Sequence, residues 1–407
     1  MKKWLIALTL LLVMSGCMSK NNFQVLAQSD GSLNNLKPTQ TLPSDWAKDY
    51  NNFASQLFKR SLKADENLFM SPASVYLALG MTVHGAADNT QQQLLNFLHY
   101  PQDIASFLVQ SREFQAQILN YQKTKISLSN SIWMRNEFSE SVLTRFIDRN
   151  REYFGAFIAT LDFNDPSTAK TINAWVKKNT QGLIDKIVPE DIPGTTVMYL
   201  INTIYFKADW ESPFKKSATS QQPFYGSSEK MVDMMHQTLT IPYVTTDDYQ
   251  AILLPYQGQD NSMLLILPHK NKEVSFDEID IAALMSQLQL STKSIKLGLP
   301  KMNIAFEINL NKALIDAGVV DAFSPEHANF SLMANNALES QLHIASIVHK
   351  AVLKVDEKGT EAAAVTSIEM GVTSMPIDDS LVLVFNRPYL LALMDNAYSI
   401  PLFMGHI

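Results

Sequence analysis

The segment Glu357-Lys-Gly-Thr-Glu-Ala-Ala-Ala-Val-Thr-Ser367 has no proline and one glycine, and every other residue in it enters a β-sheet without clash. Ordinary connecting loops turn on Gly, Pro, Asn and Asp, and here only Gly359 offers a turn. Just upstream, Ala351, Leu353 and Val355 alternate with Lys350 and Lys354, the period-2 pattern of a half-buried strand. The alternation runs on through the segment: Thr360, Ala362, Ala364, Thr366, Ile368 and Met370 share one face, and Glu361, Val365 and Glu369 the other. Composition alone supports a different reading, a flexible alanine-rich linker or a short helix, because alanine favours helix. The parity says that this loop is able to become a strand.

His349-Lys-Ala-Val-Leu-Lys-Val-Asp-Glu-Lys-Gly-Thr-Glu-Ala-Ala-Ala364 resembles the hinge of the serpins, a family of suicide inhibitors of serine and cysteine proteases. Further motifs follow the family order. Asn67-Leu-Phe-Met-Ser-Pro-Ala-Ser74, then Ala78-Leu-Gly-Met81, Gly85-Ala86 and Thr90-Gln91, resemble the segment that opens the serpin core. Ile172-Asn173 with Trp175, Thr180 and Gly182 resembles the helix crossing the main sheet. Asn202-Thr-Ile-Tyr-Phe-Lys-Ala-Asp-Trp210 and Pro213-Phe214 resemble a central strand and its exit. Pro300-Lys301, Leu310, Leu314, Gly318, Phe323 and Phe330-Ser331 resemble the strand and helix before the hinge. Phe385-Asn-Arg-Pro-Tyr389 and Pro401-Leu-Phe-Met-Gly405 resemble the closing strands. The resemblance covers about residues 44 to 407. It implies an α+β serpin fold: one domain with a large central β-sheet, two smaller sheets, about nine helices and an exposed reactive loop at about 357–385.

The resemblance also implies site residues. Glu357, Gly359, Thr360, Glu361, Ala362, Ala363 and Ala364 form the hinge. Ser71, Ser74, Asn202 and His349 match the polar cluster beneath the point where the sheet opens. Lys301 and Glu357 match an ion pair at the top of the sheet, near Trp210. Counting from the hinge places the bond offered to the protease at Thr373–Ser374, with the bonds after Met370 and Val372 as alternatives. No lysine or arginine lies between Gly359 and Asn386. A pocket built for a cation discriminates strongly against a side chain without one, so an elastase-like or subtilisin-like target is expected and a trypsin-like one is not. His84 and Val365 depart from the family pattern, His84 standing where a smaller or apolar residue is usual.

The single cysteine, Cys17, excludes an intramolecular disulfide and a thiolate metal site. Lys2-Lys3, an apolar run from Trp4 to Val13 and Met14-Ser15-Gly16-Cys17 resemble a bacterial lipoprotein leader whose apolar stretch is too short to span a bilayer. The expected organisation is a signal peptide at 1–16, a lipidated Cys17 opening a polar, flexible tether through 43, and the serpin domain at 44–407. Met18 is not the aspartate that commonly retains lipoproteins at the inner membrane. The expected location is therefore the outer membrane, or the exterior as a secreted protein if Cys17 is not lipidated. The net charge of −7 becomes −9 without Lys2 and Lys3, and no basic cluster offers a nucleic-acid surface.

No Gly-x-Ser-x-Gly elbow, His-Glu-x-x-His or phosphate loop occurs. Neither an enzyme nor a cofactor or metal site is expected; His343 and His349, six residues apart, are weighed as a metal pair and set aside. The expected partners are a target protease and the membrane, with the protein acting as a monomer. Spacing predicts a helix over 45–63 with Ser44 as N-cap and Trp46, Tyr50, Phe53, Leu57 and Phe58 inward. It also predicts strands over 125–134, 196–206 and 263–267, and helices over 167–180 and 277–289.

Overall fold

A computed structural model describes residues 24–27, 36–63, 66–100, 103–335, 342–360 and 380–407. Eight α-helices lie among them: α1 (Ser44–Ser61), α2 (Pro72–Val83), α3 (Asp88–Phe97), α4 (Ile104–Leu119), α5 (Thr144–Phe154), α6 (Ser167–Asn179), α7 (Ile281–Leu290) and α8 (Asn311–Asp316). In α1 the five apolar residues at helical spacing are all buried. Its cap differs from expectation: Trp46 N–H donates to Pro43 O at 3.1 Å, so Pro43 holds the cap position and Ser44 is already helical. The helix expected over 277–289 is divided. A 3-10 turn at Phe276–Glu278 is closed by a capping box from Ser275. Asp280 then restarts the chain as α7 by accepting from Ala283 N–H at 2.9 Å.

The sheet that carries the predicted hinge has seven strands, in the spatial order β1 (Gln24–Ala27), β4 (Phe157–Leu161), β3 (Lys125–Arg135), β5 (Met198–Asp209), β13 (Gly359–Thr360), β12 (Val348–Val355) and β11 (Met302–Asn309). β3 extends one residue past the expected end because Arg135 pairs with Leu161, and β5 begins at Met198 rather than 196 and continues to Asp209, where it pairs with Gly359. The alternation read in β12 is observed, with His349, Ala351, Leu353 and Val355 buried.

The two smaller sheets are joined into one hydrogen-bonded path: β14 (Leu381–Val384), β10 (Thr292–Pro300), β7 (Glu229–Thr245), β8 (Tyr249–Pro255), β9 (Asn261–Pro268), β15 (Leu390–Asp395), β16 (Ile400–His406) and β2 (Leu68–Met70), with β6 (Thr219–Tyr225) also on β7. The link is β7, a 17-residue strand that pairs with β6 and β10 and then, from Tyr243, with β8. One contiguous core runs from the helices through β9, whose Met263 to Leu267 are fully buried, to the C-terminal strands. A separate cluster, including Ile172, Val176, Trp133, Leu161 and Ile201, seats α6 across β3, β4 and β5.

Part of the segment read as a free tether is docked. Gln24–Ala27 pair antiparallel with β4. Farther on, the buried Glu113 carboxylate accepts Thr39 N–H at 2.7 Å and Thr39 Oγ1–H at 2.6 Å, fixing the chain to α4. A buried carboxylate without donors is costly, so Glu113 supplies the physical reason for this docking.

Candidate functional site

Gly359 and Thr360 form a two-residue strand wedged between β5 and β12: Gly359 lies opposite Asp209, and Thr360 lies between Ala208 and Val355. β5 and β12 do not adjoin elsewhere, and no other described strand lies between them. Directly beneath Thr360 they border a cavity of about 20 Å³, lined in part by Ile204, Phe206, Ala351 and Leu353. That space is about one water. The hinge thus occupies the mouth of a gap in the middle of the sheet.

Glycine is required at 359 by contact rather than by turn geometry. A Cβ there would sit 2.1 Å from the Ala208 carbonyl oxygen. Thr360 points inward and is 3% exposed. Its hydroxyl shares a 2.6 Å hydrogen bond with the phenol of Tyr256. Trp210 stacks on Tyr256 with centroids 4.5 Å apart and planes at 7°, and its indole N–H donates to Asp356 O at 3.0 Å. Trp210 N–H donates to Lys358 O, and Phe214 N–H to Glu357 O, both at 2.7 Å. The hinge backbone is therefore held by the strand exit that the sequence marked.

Glu357 is 5% exposed. Its carboxylate accepts from Thr219 Oγ1–H at 2.9 Å and lies 3.1 Å from Lys301 Nζ. Burial by itself would raise its pKa, but a backbone N–H, the Thr219 hydroxyl and the Lys301 ammonium outweigh burial and hold it below the ordinary value. Lys301 remains about a third exposed, so solvent screens the pair and the neutral donors share the work.

Below the gap, Ser71 ties three elements together. Its N–H donates to His349 Nε2 at 3.0 Å, its hydroxyl donates to Leu402 O at 2.7 Å, and its oxygen accepts Ser74 N–H at 3.1 Å as the cap of α2. His349 is buried, which depresses its pKa to about 4. It is neutral at ordinary pH, with Nε2 as acceptor and the proton on Nδ1. These bonds link α2, β12 and β16, so movement of β12 must break one of them.

Asn202 does not join this cluster through any of these bonds, and the expected foursome is corrected to a trio. Asn202 Nδ2 donates to Asn130 Oδ1 at 2.7 Å, and Asn130 donates to Phe154 O at 2.6 Å and Gln115 Oε1 at 3.1 Å. The reason is register: Asn202 lies opposite Asn130 in the β3–β5 ladder. His84 is buried between Phe146 and Phe154, and neither ring nitrogen has a well-formed hydrogen bond. Burial lowers its pKa to about 4, with the neighbouring Asn150 side chain opposing only partly.

Sequence reasoning missed Tyr256, Thr219, Asn130 and Gln115. Each meets the site from a segment between 72 and 138 residues away, or through one that does, and no local spacing announces such a meeting. Glu361, Ala362, Ala363, Ala364, Val365, Met370, Val372, Thr373, Ser374 and Cys17 lie outside the described residues. The chain is described again from Ser380, whose hydroxyl bonds Ser294 at 2.8 Å, and β14 then pairs parallel with β10. Among the described residues no group of three or more His, Cys, Asp or Glu is placed to hold a metal, and no helix is long and apolar enough to cross a membrane.

Comparison with known proteins gives a match of residues 48–407 to the family described as Serpin (serine protease inhibitor). Alpha-1-antichymotrypsin from Homo sapiens is 32% identical over 371 residues, covering 87% of this chain and 86% of that protein. Corticosteroid-binding globulin from Saimiri sciureus is 30% identical over 371 residues, covering 87% and 88%. The crystal structure of the thermophilic serpin tengpin in its native state superposes with a TM-score of 0.81 at 29% identity, covering 94% of this chain and 99% of that one.

Proposed function

The chain belongs to the serpin family, whose members are inhibitors or binding proteins rather than catalysts, and we propose that it is an inhibitory member. In this reading a protease attacks the loop after Thr360 and forms an acyl-enzyme. The freed loop then enters the gap between β5 and β12 as a new strand, and distortion of the trapped protease stalls deacylation. Serpin loop insertion is itself a standard instance of segment switching.

The seating of Gly359–Thr360 between β5 and β12 is the observation that carries the reading. The first inserted side chain already has its pocket, and the residues that follow keep strand parity without a charge on the inward face through Met370. Bulky or proline residues at these positions would favour a binding role of the kind named for corticosteroid-binding globulin; the chain has Ala362, Ala363 and Ala364 instead. The absence of lysine and arginine from the loop supports a target with a shallow apolar pocket. The leader ending in Cys17 supports attachment of the protein to the cell envelope by lipid.

Incubation with elastase-like, subtilisin-like and trypsin-like proteases, followed by denaturing electrophoresis, tests the proposal. A covalent complex with one of the first two is expected. Cleavage of the loop by each protease without any complex would assign the chain to the binding members.

A further inference from the structure

The direction of β1 bears on how the anchored domain is presented. Gln24 lies opposite Thr160 and Ala27 opposite Ile158, and Thr160 lies beside Met134 in the parallel β3–β4 pair. Met134 pairs with Met198, at the end of β5 remote from Ala208, where Thr360 is seated. The chain therefore enters β1 at the pole opposite the hinge and runs toward it. Ten residues of β5 separate the two levels, about 33 Å at about 3.3 Å per residue.

Six residues separate Cys17 from Gln24, and the seven backbone steps between them, fully extended, reach about 25 Å. With lipid on Cys17, a reading proposed above on which this inference rests, Gln24 stays within that distance of the bilayer while β1 is paired. Turning the hinge pole toward the bilayer would raise Gln24 by more than about 33 Å, beyond that reach. With β1 unpaired, the next docked residues begin near Leu36, and the nineteen backbone steps from Cys17 to it reach about 65 Å, enough for either orientation. Ala27 is buried and Leu26 packs against the core, so the strap is seated by side chains as well as by its ladder.

We propose that β1 is an orienting strap: its pairing with β4 turns the hinge pole of the anchored domain, and the loop that starts there, away from the membrane and toward soluble proteases.

The test uses the full chain purified from membranes and returned to vesicles carrying an acceptor dye on lipid headgroups. A donor is placed at Gly194→Cys, in an open position near the far pole, or at Glu211→Cys, exposed beside the hinge. Lipidation leaves Cys17 without a competing thiol. Energy transfer from 194 is expected to exceed that from 211 at least twofold. Val25→Pro with Leu26→Pro removes two successive N–H groups, one of which must face β4. This pair of changes is expected to bring the ratio close to one, as is a twenty-residue Gly/Ser insertion after Lys20 that leaves β1 intact. Equal transfer from the two sites in the parent protein, or a ratio unchanged by the double proline, overturns the strap. Mass spectrometry showing no lipid on the N-terminal peptide overturns the anchor reading, and the strap falls with it.

Discussion

Thr360→Arg is expected to convert the protein from an inhibitor into a substrate. Thr360 is 3% exposed and its hydroxyl is bonded to Tyr256, which is fully buried beneath Trp210. Removing the hydroxyl leaves the Tyr256 phenol without this partner, at about 1–3 kcal/mol. Forcing a guanidinium into the same site adds an uncompensated buried charge, for a total of at least about 3–5 kcal/mol. The arginine will therefore rest outside the sheet, and insertion must pay that cost before a strand can form. Such a barrier slows insertion by roughly a hundred-fold to several thousand-fold, while hydrolysis of the acyl-enzyme, which does not involve residue 360, is unchanged. The assay is titration of a fixed amount of inhibited protease, with the complex and the cleaved chain quantified on denaturing gels. Thr360→Ser, which keeps the hydroxyl, is expected to inhibit like the parent. Complex formation by the arginine variant at the parent stoichiometry would show that insertion does not pass through the site between Ala208 and Val355.

Cleavage of the loop is expected to raise the melting temperature by roughly ten degrees or more. Ten residues, Glu361 to Met370, would gain ladder hydrogen bonds on insertion, since Thr360 is already paired; the total is on the order of ten kcal/mol at about 0.5–1.5 kcal/mol each. Superimposable melting curves for intact and nicked protein would refute insertion. Stability of the uncleaved form is expected to fall between pH 6.5 and 5. Burial depresses His349 and His84 to about 4 from 6.5, so the unfolded chain binds the extra protons; the stabilisation is complete above pH 6.5 and is lost as pH falls toward 4. Each histidine contributes about 2 kcal/mol of that loss by pH 5, and denaturant melts of His84→Leu should show about half the acid sensitivity. Mass spectrometry of the fragment released on capture is expected to begin at Ser374, and rapid inhibition of trypsin but not elastase would refute the pocket argument.

Local chemistry made a large part of this molecule legible. The period of 3.6 placed Trp46, Tyr50, Phe53, Leu57 and Phe58 inside, and the period of 2 placed Ala351, Leu353 and Val355 on the buried face. Those patterns depend only on how successive side chains leave one backbone, so they survive in the bare sequence. Motif order did the rest for the fold and marked Glu357, Lys301 and Trp210 as neighbours, as they are. Local reasoning failed at ends and at partners. Ser44 reads as a cap, but the first helical carbonyl acceptor belongs to Pro43, and the run through 289 reads as one helix until Asp280 recaps it.

Which groups meet was decided by the tertiary structure alone. Asn202 resembles a member of the Ser71–His349 cluster, but the β3–β5 register sets it against Asn130. Gly359 looks like a turn, but the close approach of the Ala208 carbonyl is what excludes a side chain there. Gln24–Ala27 read as tether until β4 offers an edge. A buried donor or acceptor must find its partner within about 3 Å, and the candidates within that radius are set by the order and register of strands distant in the chain. Periodicity tells each side chain which way to face; only the assembled sheets tell it what it will find there.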